Sequence, residues 1–337
     1  MSFDTDILTT LTNGERPSEE ALEAALTSIL GGHASDAQIA ALLMGLEVNG
    51  VTTPEVRAGA RVMRAHMIPV ETGLDLLDIV GTGGTGLHTL SISTASMIVC
   101  AGAGAKMAKH GNRAASSLTG TADTLSALGV NLDISPAQAA HAIKTAGLGF
   151  LFAPNHHPAM RFVGSARKSM KIRTLFNLLG PLCNPAGAKK QLLGVSNKRW
   201  IKPMAETLRD LGSTHAWVVH GEDGLDEITT TGTTHVTELK DGKLRGFTLT
   251  PEDYGIDRAS MDDLRGGAPD VNAAALTALL GGEPGPYRDI VRLNAGAALY
   301  IAGIAKDVED GIIKAAHSID SGAAKAALAK LVEATHG

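Results

Sequence analysis

The sequence predicts an α/β protein in which a small all-helical domain precedes a larger α/β domain, whose mostly parallel central sheet is flanked by helices. Three observations predict this fold class. The first 70 residues show helical patterns only. From Leu76 onward, short β-like runs alternate with helical ones. Two of the connections that follow predicted strands have the composition of ligand-binding loops, which lie at the carboxyl edge of such sheets.

The bulk composition limits the class of protein. The chain has 337 residues, of which 44% are hydrophobic and 3% aromatic, so a sizeable core must consist mainly of Ala, Leu, Ile and Val. The net charge of -5 argues against a general nucleic-acid binder. Cys100 and Cys183 provide no disulfide framework. The start of the sequence lacks the pattern of a signal peptide, and no apolar run approaches the length of a membrane span. We therefore expect a soluble, cytoplasmic protein.

Helix signals organise residues 1–70. A second helix is expected to start at residues 18–20 and to stop at Gly31 and Gly32. Asp36 is expected to cap a third helix, and residues 53–54 open a fourth with Pro at the favoured first position. The apolar residues of the third helix fall on one face; they are Ile39, Leu42, Leu43 and Leu46. This face needs a partner surface, from either the neighbouring domain or a second subunit.

The remaining chain alternates between strand and helix patterns. The expected strands are 76–80, 105–109, 147–152, 191–195 and 215–220. The expected helices between them are 95–103, 121–128, 136–145 and 203–211. Residues 221–248 are expected to form further strands and turns, and the chain beyond Asn272 is expected to be helical apart from a break at 281–286. This alternation implies crossover connections and a largely parallel sheet.

A glycine-rich loop follows the first expected strand. Its sequence over residues 78–86 is D-I-V-G-T-G-G-T-G, with four glycines within six residues, and Ser93 and Thr94 then precede an Ala-rich helix. Glycine lets a backbone come close to a ligand, and free amides beside a helix N-terminus attract phosphate. An ordinary strand-to-helix turn is the alternative. The sequence does not match a Walker loop, because Leu87 rather than Lys follows Gly86.

A second loop, residues 109–123, also lies between a predicted strand and a predicted helix. It contains two cations, Lys109 and Arg113, together with an amide, several hydroxyls and two glycines. This composition suits a phosphorylated, hydroxylated ligand, whereas a solvated polar loop is the alternative. Because both loops follow parallel strands, they are expected to meet at one edge of the sheet, which favours the ligand-binding interpretation.

Two further features have side chains suited to metal or substrate binding. Asp226 and Glu227 are adjacent carboxylates in a glycine-containing turn, and such oxygens suit Mg²⁺ shared with substrate phosphates, although acids on a surface turn are common. Arg167 can pair with a substrate carboxylate, although a surface position is the commoner outcome. His156 and His157 are neighbours and not at metal-ligand spacing, and zinc-protease, CxxC and serine-hydrolase motifs are missing from the sequence.

Taken together, these residues resemble the anthranilate phosphoribosyltransferase family over nearly the whole chain. The glycine loop and the Lys-His-Gly-Asn-Arg loop are highly specific in combination. The matching motifs, in chain order, are Gly81-Thr82-Gly83-Gly84, Ile92-Ser93-Thr94, Lys109-His110-Gly111-Asn112-Arg113, Ser116-Ser117, Ala122-Asp123, Phe152-Ala153-Pro154, His157-Pro158, Phe176-Asn177, Gly180-Pro181-Leu182, Asn184-Pro185 and Asp226-Glu227.

The resemblance implies a fold, an assembly and a reaction. It implies a helical domain, residues 1–70, joined by a later helical insert at about 165–185. It implies a phosphoribosyl diphosphate-binding α/β domain made of 71–164 and 186–337, and a homodimer formed through the helical domains. The implied reaction transfers the phosphoribosyl group of 5-phosphoribosyl 1-diphosphate to the amine of anthranilate and releases diphosphate, in L-tryptophan biosynthesis. Mg²⁺ is the implied cofactor, with two ions per subunit.

The resemblance also implies site residues. Anthranilate would be faced by Gly81, Asn112 and Arg167, with Arg167 at its carboxylate. The metal would be held by Ser93, Asp226 and Glu227. The residues implied at phosphoribosyl diphosphate are Gly81, Gly84, Thr85, Thr89, Ser91, Ile92, Ser93, Thr94, Lys109, His110, Gly111, Asn112, Arg113, Ala114, Ala115, Ser116, Ser117 and Thr121.

Three positions depart from the family pattern. Thr85 stands where the family usually has Asp, Ser91 where it usually has Asn, and Thr119 where it usually has Ser. Two other functions on the same fold are alternatives: a pyrimidine nucleoside phosphorylase-like enzyme, and a paralogue that binds nucleic acid. Phosphate-dependent thymidine cleavage would identify the first and a gel-shift with single-stranded DNA the second. The acidic charge balance and the Asp226-Glu227 pair argue against nucleic acid.

Overall fold

Four helices form the N-terminal unit of the computed structural model, which describes residues 2–114 and 118–337. They are α1 (Asp6–Thr12), α2 (Glu19–Leu30), α3 (Asp36–Val48) and α4 (Thr53–Ala65). Ser18 caps α2, because its side chain accepts a hydrogen bond from the Ala21 amide. The expected cap of α3 was wrong by one residue. Ser35 caps it through a reciprocal pair of bonds with Gln38, which satisfies two amides at once, and Asp36 is the first helical residue.

The α/β unit follows. Its elements, in chain order, are β1 (Leu77–Gly81), α5 (Ile92–Gly102), β2 (Met107–Gly111), α6 (Thr121–Ala127), α7 (Pro136–Ala146), β3 (Leu148–Phe152), α8 (Ala153–His156), α9 (Arg161–Met170), α10 (Phe176–Leu179), β4 (Lys190–Gly194), α11 (Ile201–Asp210), β5 (His215–Gly221), β6 (Thr234–Lys240), β7 (Lys243–Leu249), α12 (Pro269–Leu280), α13 (Pro286–Ala302), α14 (Val308–Asp320) and α15 (Ala323–His336). Each expected strand is present with small shifts at its ends, and the expected helices between them are confirmed.

The central sheet has seven strands in the order β3-β2-β1-β4-β5-β6-β7. Strands β1 to β5 pair in parallel, and β6 and β7 add an antiparallel edge. The predicted fold class is therefore confirmed. The strand order changes direction at β1, whose neighbours are β2 on one side and β4 on the other. The carboxyl ends of β1 and β4 meet there, with Gly81 opposite Gly194, so a crevice for ligands is expected at this position.

The apolar face of α3 is covered by the chain itself. Ile39, Leu42, Leu43 and Leu46 are at most 1% exposed and belong to a core that also contains Val163 of α9. Helix α9 packs against α2 and α3, as expected if the segment around Arg167 accompanies the helical unit. A second subunit is therefore not needed to bury this face. No helix within the described residues has the length and apolarity needed to cross a membrane.

Candidate active site

A cleft of about 350 Å³ opens at the carboxyl edge of the sheet, beside the position where the strand order changes direction. Its walls come from the glycine loop after β1, the first turn of α5, the cation-rich loop after β2 and the turn after β5. Two segments distant in sequence also contribute, around Arg173 and around Gly267. The two loops predicted to bind a ligand therefore face the same space.

The glycine loop lies directly on the carboxylate turn. Gly83 and Gly84 have φ values of 62° and 75°, a conformation that glycine adopts without steric cost. The Gly83 amide donates to Oδ2 of Asp226 at 2.7 Å. A Cβ added to Gly81 would lie 2.2 Å from the same oxygen. Glycine is thus required at Gly81 because the Asp226 carboxylate occupies the space of a side chain.

The turn that carries Asp226 and Glu227 is also held by contacts with β4, with α5 and with Asn294. A Cβ on Gly194, at the end of β4, would lie 1.6 Å from the carbonyl oxygen of Asp226. Oε1 of Glu227 accepts a hydrogen bond from the Ser93 amide at 2.9 Å, in the first turn of α5. The buried Asn294 accepts from the Ile228 amide at 3.0 Å and donates to the Ile228 carbonyl at 2.7 Å. The pair is therefore held rigidly under the glycine loop.

The electrostatics of this pair suit a hard cation. Burial raises the pKa of Asp226, and burial together with the neighbouring Asp226 charge raises the pKa of Glu227 well above its usual value. A divalent cation would relieve this repulsion. The described residues contain no cluster of three or more His, Cys, Asp or Glu side chains able to hold a metal alone. Mg²⁺ commonly shares its coordination with substrate phosphates and water, so a pair of carboxylates suits it.

Lys109 provides a buried positive charge in the cleft lining. Its side chain is 2% exposed, donates to the Ile79 carbonyl, and lies 3.2 Å from the Ser93 hydroxyl. Burial lowers the pKa of Lys109, and the nearby carboxylates, foremost Asp78, oppose that shift. Burial also raises the pKa of Asp78, to about 6. Lys109 therefore offsets part of the negative charge of the carboxylates at the cleft.

Asp123 organises the described part of the cation-rich loop. Its carboxylate accepts from the Ala114 and Gly120 amides, both at 3.0 Å, and from Nη1 of Arg113 at 2.9 Å. Burial acts in the opposite direction, yet these bonds lower the pKa of Asp123. Arg113, Ala114 and Gly120 thus converge on one carboxylate, which joins the two described ends of this loop. The predicted residues Ala115, Ser116 and Ser117 lie outside the described residues.

The structure brings most of the predicted site residues together. Those that line the cleft are Gly81, Gly84, Thr85, Thr89, Ser91, Ile92, Ser93, Thr94, Lys109, His110, Gly111, Asn112, Arg113, Ala114, Thr121, Asp226 and Glu227. Arg167 is different, because it does not belong to this lining. Its guanidinium lies 5.6 Å from the centre of the Phe176 ring, and burial lowers its pKa. Its side chain is thus half-buried against Phe176 of α10.

Several cleft residues were not predicted. Nη2 of Arg173 donates to the Thr82 carbonyl at 3.2 Å, and Nη1 lies where a Cβ of Gly84 would be. Asn177 lies near Arg173 in the same wall, and its side chain accepts from the Thr174 amide at 2.8 Å. Asn177 belongs to a motif that matches the family, so the sequence contained a signal for this wall. We find no such signal for Gly267, which is 148 residues from Thr119 of the second loop and bonded to it.

The structure gives a local account of the departures Ser91 and Thr85. The Ser91 hydroxyl lies 2.7 Å from the Thr124 hydroxyl and accepts from the Asn272 amide at 3.3 Å. An amide side chain is thus present beside Ser91, although Ser91 itself lacks one. The Thr85 hydroxyl accepts from the Leu87 amide at 3.3 Å, which stabilises the turn of the glycine loop. Both hydroxyls are therefore used within the loop structure.

Comparisons with known proteins agree with this geometry. Residues 5–67 match the family model described as glycosyl transferase family, helical bundle domain, and residues 73–325 match the glycosyl transferase family, a/b domain. The anthranilate phosphoribosyltransferase of Parvibaculum lavamentivorans is 55% identical over 331 residues, 98% of this chain and 97% of that protein.

Solved structures show the same likeness. Anthranilate phosphoribosyltransferase (TrpD) from Thermus thermophilus has a TM-score of 0.93 and 42% identity, with 98% of this chain and 100% of that chain covered. The Saccharomyces cerevisiae enzyme in complex with PRPP and Mg has a TM-score of 0.90 and 28% identity, with 98% and 97% covered. The likeness therefore extends over both units of the chain.

Proposed function

The chain belongs to the anthranilate phosphoribosyltransferase family, and from this premise we propose how its own residues perform the family's reaction. The protein transfers the phosphoribosyl group of 5-phosphoribosyl 1-diphosphate to the amine of anthranilate, in L-tryptophan biosynthesis, and releases diphosphate. The observation that supports the residue-level proposal is that the two loops predicted to bind phosphate and the Asp226-Glu227 pair line the same cleft.

The two loops bind phosphoribosyl diphosphate in this proposal. Breaking the bond between the anomeric carbon and diphosphate builds negative charge on the leaving group and positive charge on the ribose. The glycine loop, the N-terminus of α5 and Lys109 border the same cleft, where their positive electrostatic potential can stabilise this negative charge. The amine of anthranilate is a neutral nucleophile, so no strongly shifted base is required. Holding it against the anomeric carbon supplies much of the remaining rate.

Asp226 and Glu227, with Ser93 beside them, hold Mg²⁺ in this proposal. Mg²⁺ binds in this family, and two ions per subunit is our prediction for this chain. The ion, when bound, supplies positive charge near the leaving diphosphate. The raised pKa values of the two carboxylates support this assignment, because two buried carboxylates side by side are stabilised by an added cation.

Gly81, Asn112 and Arg167 face anthranilate in this proposal. Gly81 and Asn112 already line the cleft. Arg167 lies on α9, half-buried and next to Phe176, and is not part of the cleft lining, so its role at the carboxylate requires the side chain to come closer to the cleft. A guanidinium that is partly removed from water recognises a carboxylate with two parallel hydrogen bonds, which supports the choice of Arg167.

We propose that the protein is a homodimer formed through the helical units, residues 1–70 with an insert at about 165–185. The outer side of α3 carries an exposed apolar stripe made of Ala37, Ala41, Met44 and Val48. Met44 is 44% and Val48 is 77% exposed. These residues recur at helical spacing, so they form one continuous surface suited to another helix. A cytoplasmic location stays a prediction.

A fluorescence assay of anthranilate consumption tests the function directly. The purified protein should consume anthranilate only when both phosphoribosyl diphosphate and Mg²⁺ are present. Phosphate with thymidine, and single-stranded DNA in a gel-shift, test the two alternatives and should show neither cleavage nor binding. Thymidine cleavage or DNA binding without anthranilate consumption would reject the proposed function.

A further inference from the structure

A segment far from both loops in sequence forms another wall of the cleft. Residues 264–268, here called the strap, run beside the end of the glycine loop. The Leu90 amide donates to the Leu264 carbonyl at 2.9 Å, and the Gly266 amide donates to the His88 carbonyl at 2.8 Å. The strap therefore adds a short ladder of backbone bonds to a loop that follows β1.

The same segment is bonded to the second loop. The Thr119 hydroxyl donates to the Gly267 carbonyl at 2.6 Å. A Cβ on Gly266 would lie 2.4 Å from the Thr89 carbonyl oxygen, so the strap can approach this closely only because Gly266 has no side chain. One five-residue segment thus links the far ends of both phosphate loops.

Asn272, in the first turn of α12, holds the strap in place. It is 1% exposed, and its two polar atoms are both used. Oδ1 accepts from the Gly267 amide at 3.1 Å, and Nδ2 donates to the Ser91 hydroxyl at 3.3 Å. Ser91 immediately precedes α5, and its hydroxyl also contacts Thr124 of α6. Asn272 therefore connects the strap to the start of the helix whose first turn faces the cleft.

We propose that Asn272 is a positioning residue that acts through the strap to set the spacing of the two phosphate loops, and hence the affinity for phosphoribosyl diphosphate. This inference rests on the proposed function and deepens it. Gly81 and Asn112 lie at or next to strand ends held by the sheet, whereas the strap bonds to the distal parts of the loops. Loss of the Asn272 side chain should therefore weaken the binding of phosphoribosyl diphosphate more than the binding of anthranilate.

The test compares three variants with the unmodified protein in steady-state kinetics for each substrate. Asn272→Ala should raise the KM for phosphoribosyl diphosphate about tenfold, as expected for the loss of two buried hydrogen bonds, and leave the KM for anthranilate within about twofold. Thr119→Val removes the other bond to the strap and should raise the same KM by about three- to tenfold. Thr277→Ala, on the exposed side of α12, is the matched control and should change neither KM.

Calorimetric titration measures the affinity for phosphoribosyl diphosphate directly, so it tests the role of Asn272 independently of catalysis. The affinity losses of Asn272→Ala and Thr119→Val should appear there in the same order, with Thr277→Ala unchanged. Equal losses for both substrates, or unchanged affinity in both variants, would overturn the role of the strap. If Asn272→Ala fails to fold, Thr119→Val decides the question alone. Absence of anthranilate consumption by the unmodified protein would instead reject the proposed function, whatever the titrations show.

Discussion

At the scale of single residues, the Asp226-Glu227 carboxylate pair is the feature whose chemistry most clearly calls for a bound cation. Asp226 is in contact with two glycines and an amide, and Glu227 is bound to the first turn of α5. Burial raises the pKa values of both carboxyls, and the Asp226 charge raises that of Glu227 further, so the ionised forms are destabilised without a cation. This arrangement favours metal binding over a purely structural role.

Neutralising either member of the pair should therefore remove activity and leave the fold intact. We expect Asp226→Asn and Glu227→Gln each to lower kcat/KM on the order of a hundredfold, because leaving-group stabilisation worth several kcal/mol is lost. Anthranilate fluorescence across a Mg²⁺ titration measures this effect, and circular dichroism checks the fold. Wild-type turnover by both variants at limiting Mg²⁺ would show the metal assignment to be wrong.

The role of Arg167 at anthranilate stays a prediction, since Arg167 lies against Phe176 and is not part of the cleft lining. If Arg167 recognises the carboxylate of anthranilate, Arg167→Ala should raise the KM for anthranilate by roughly ten- to hundredfold, because a hydrogen bond to a charged group is lost. The KM for phosphoribosyl diphosphate should rise less. Arg167→Lys should recover little, because Lys lacks the planar fork. Equal losses for the two substrates would reject this role.

Thr85 replaces a carboxylate that is usual in the family. A carboxylate beside a diphosphate repels it unless a cation lies between them, and the repulsion is larger in a partly dry site. We therefore expect this protein to tolerate lower Mg²⁺ than a Thr85→Asp variant, and excess Mg²⁺ to affect the variant more. A magnesium titration of phosphoribosyl diphosphate affinity compares the two proteins, and superimposable curves would contradict the repulsion argument.

At the scale of elements, the ends of β1 and β4 decide where the site can form. Both strands end in glycine, at Gly81 and Gly194, and a side chain at either would overlap with Asp226. The turn after β5 can therefore settle directly on the sheet edge. Neither glycine has a positive φ, so the backbone conformation does not require glycine at these positions. The requirement comes from the close approach of Asp226.

Gly194→Ala tests this packing. The added Cβ meets backbone rather than a flexible side chain, so the free energy of unfolding should fall by about 1–3 kcal/mol and the turn should shift enough to lower activity at least about tenfold. Gly232→Ala is the control, because a Cβ there meets no atom within 4 Å. Urea unfolding and the anthranilate assay measure both effects. A stable, fully active Gly194→Ala protein would be incompatible with the close approach.

At the scale of the whole molecule, two surfaces of α3 have different roles. Its inner face is buried within the chain, which removes the original reason for expecting a second subunit at Leu42 and its neighbours. Its outer stripe remains exposed and apolar, most of all at Val48. The predicted homodimer therefore depends on this outer stripe.

Val48→Glu should convert the protein from a dimer to a monomer in light scattering at micromolar concentration, because it places a charge in the apolar contact. Ile313→Glu, on the exposed side of α14 and 64% exposed itself, is the control and should leave the assembly unchanged. A wild-type protein that is monomeric at this concentration would contradict the dimer. So would a Val48→Glu protein that remains dimeric.

The sequence by itself determined the fold class, the elements and the chemical character of the site. Alternation of strand and helix patterns predicted the parallel sheet, and the two loops and the Asp226-Glu227 pair could be recognised where they stand. These features are local, because each depends on residues within one turn, one strand or one short loop. The error at Asp36 was also local, since Ser35 and Asp36 are both good caps and the bond with Gln38 decided between them.

Only the tertiary structure decided which of these local features touch. Gly194 and Asp226, Ser91 and Asn272, and Thr119 and Gly267 are each far apart in sequence and meet within hydrogen-bond or van der Waals distance. The position of Arg167 beside Phe176, outside the cleft lining, was decided in the same way. The physical reason is that such contacts depend on the order of strands in the sheet and on the packing of side chains between elements, which no local periodicity encodes.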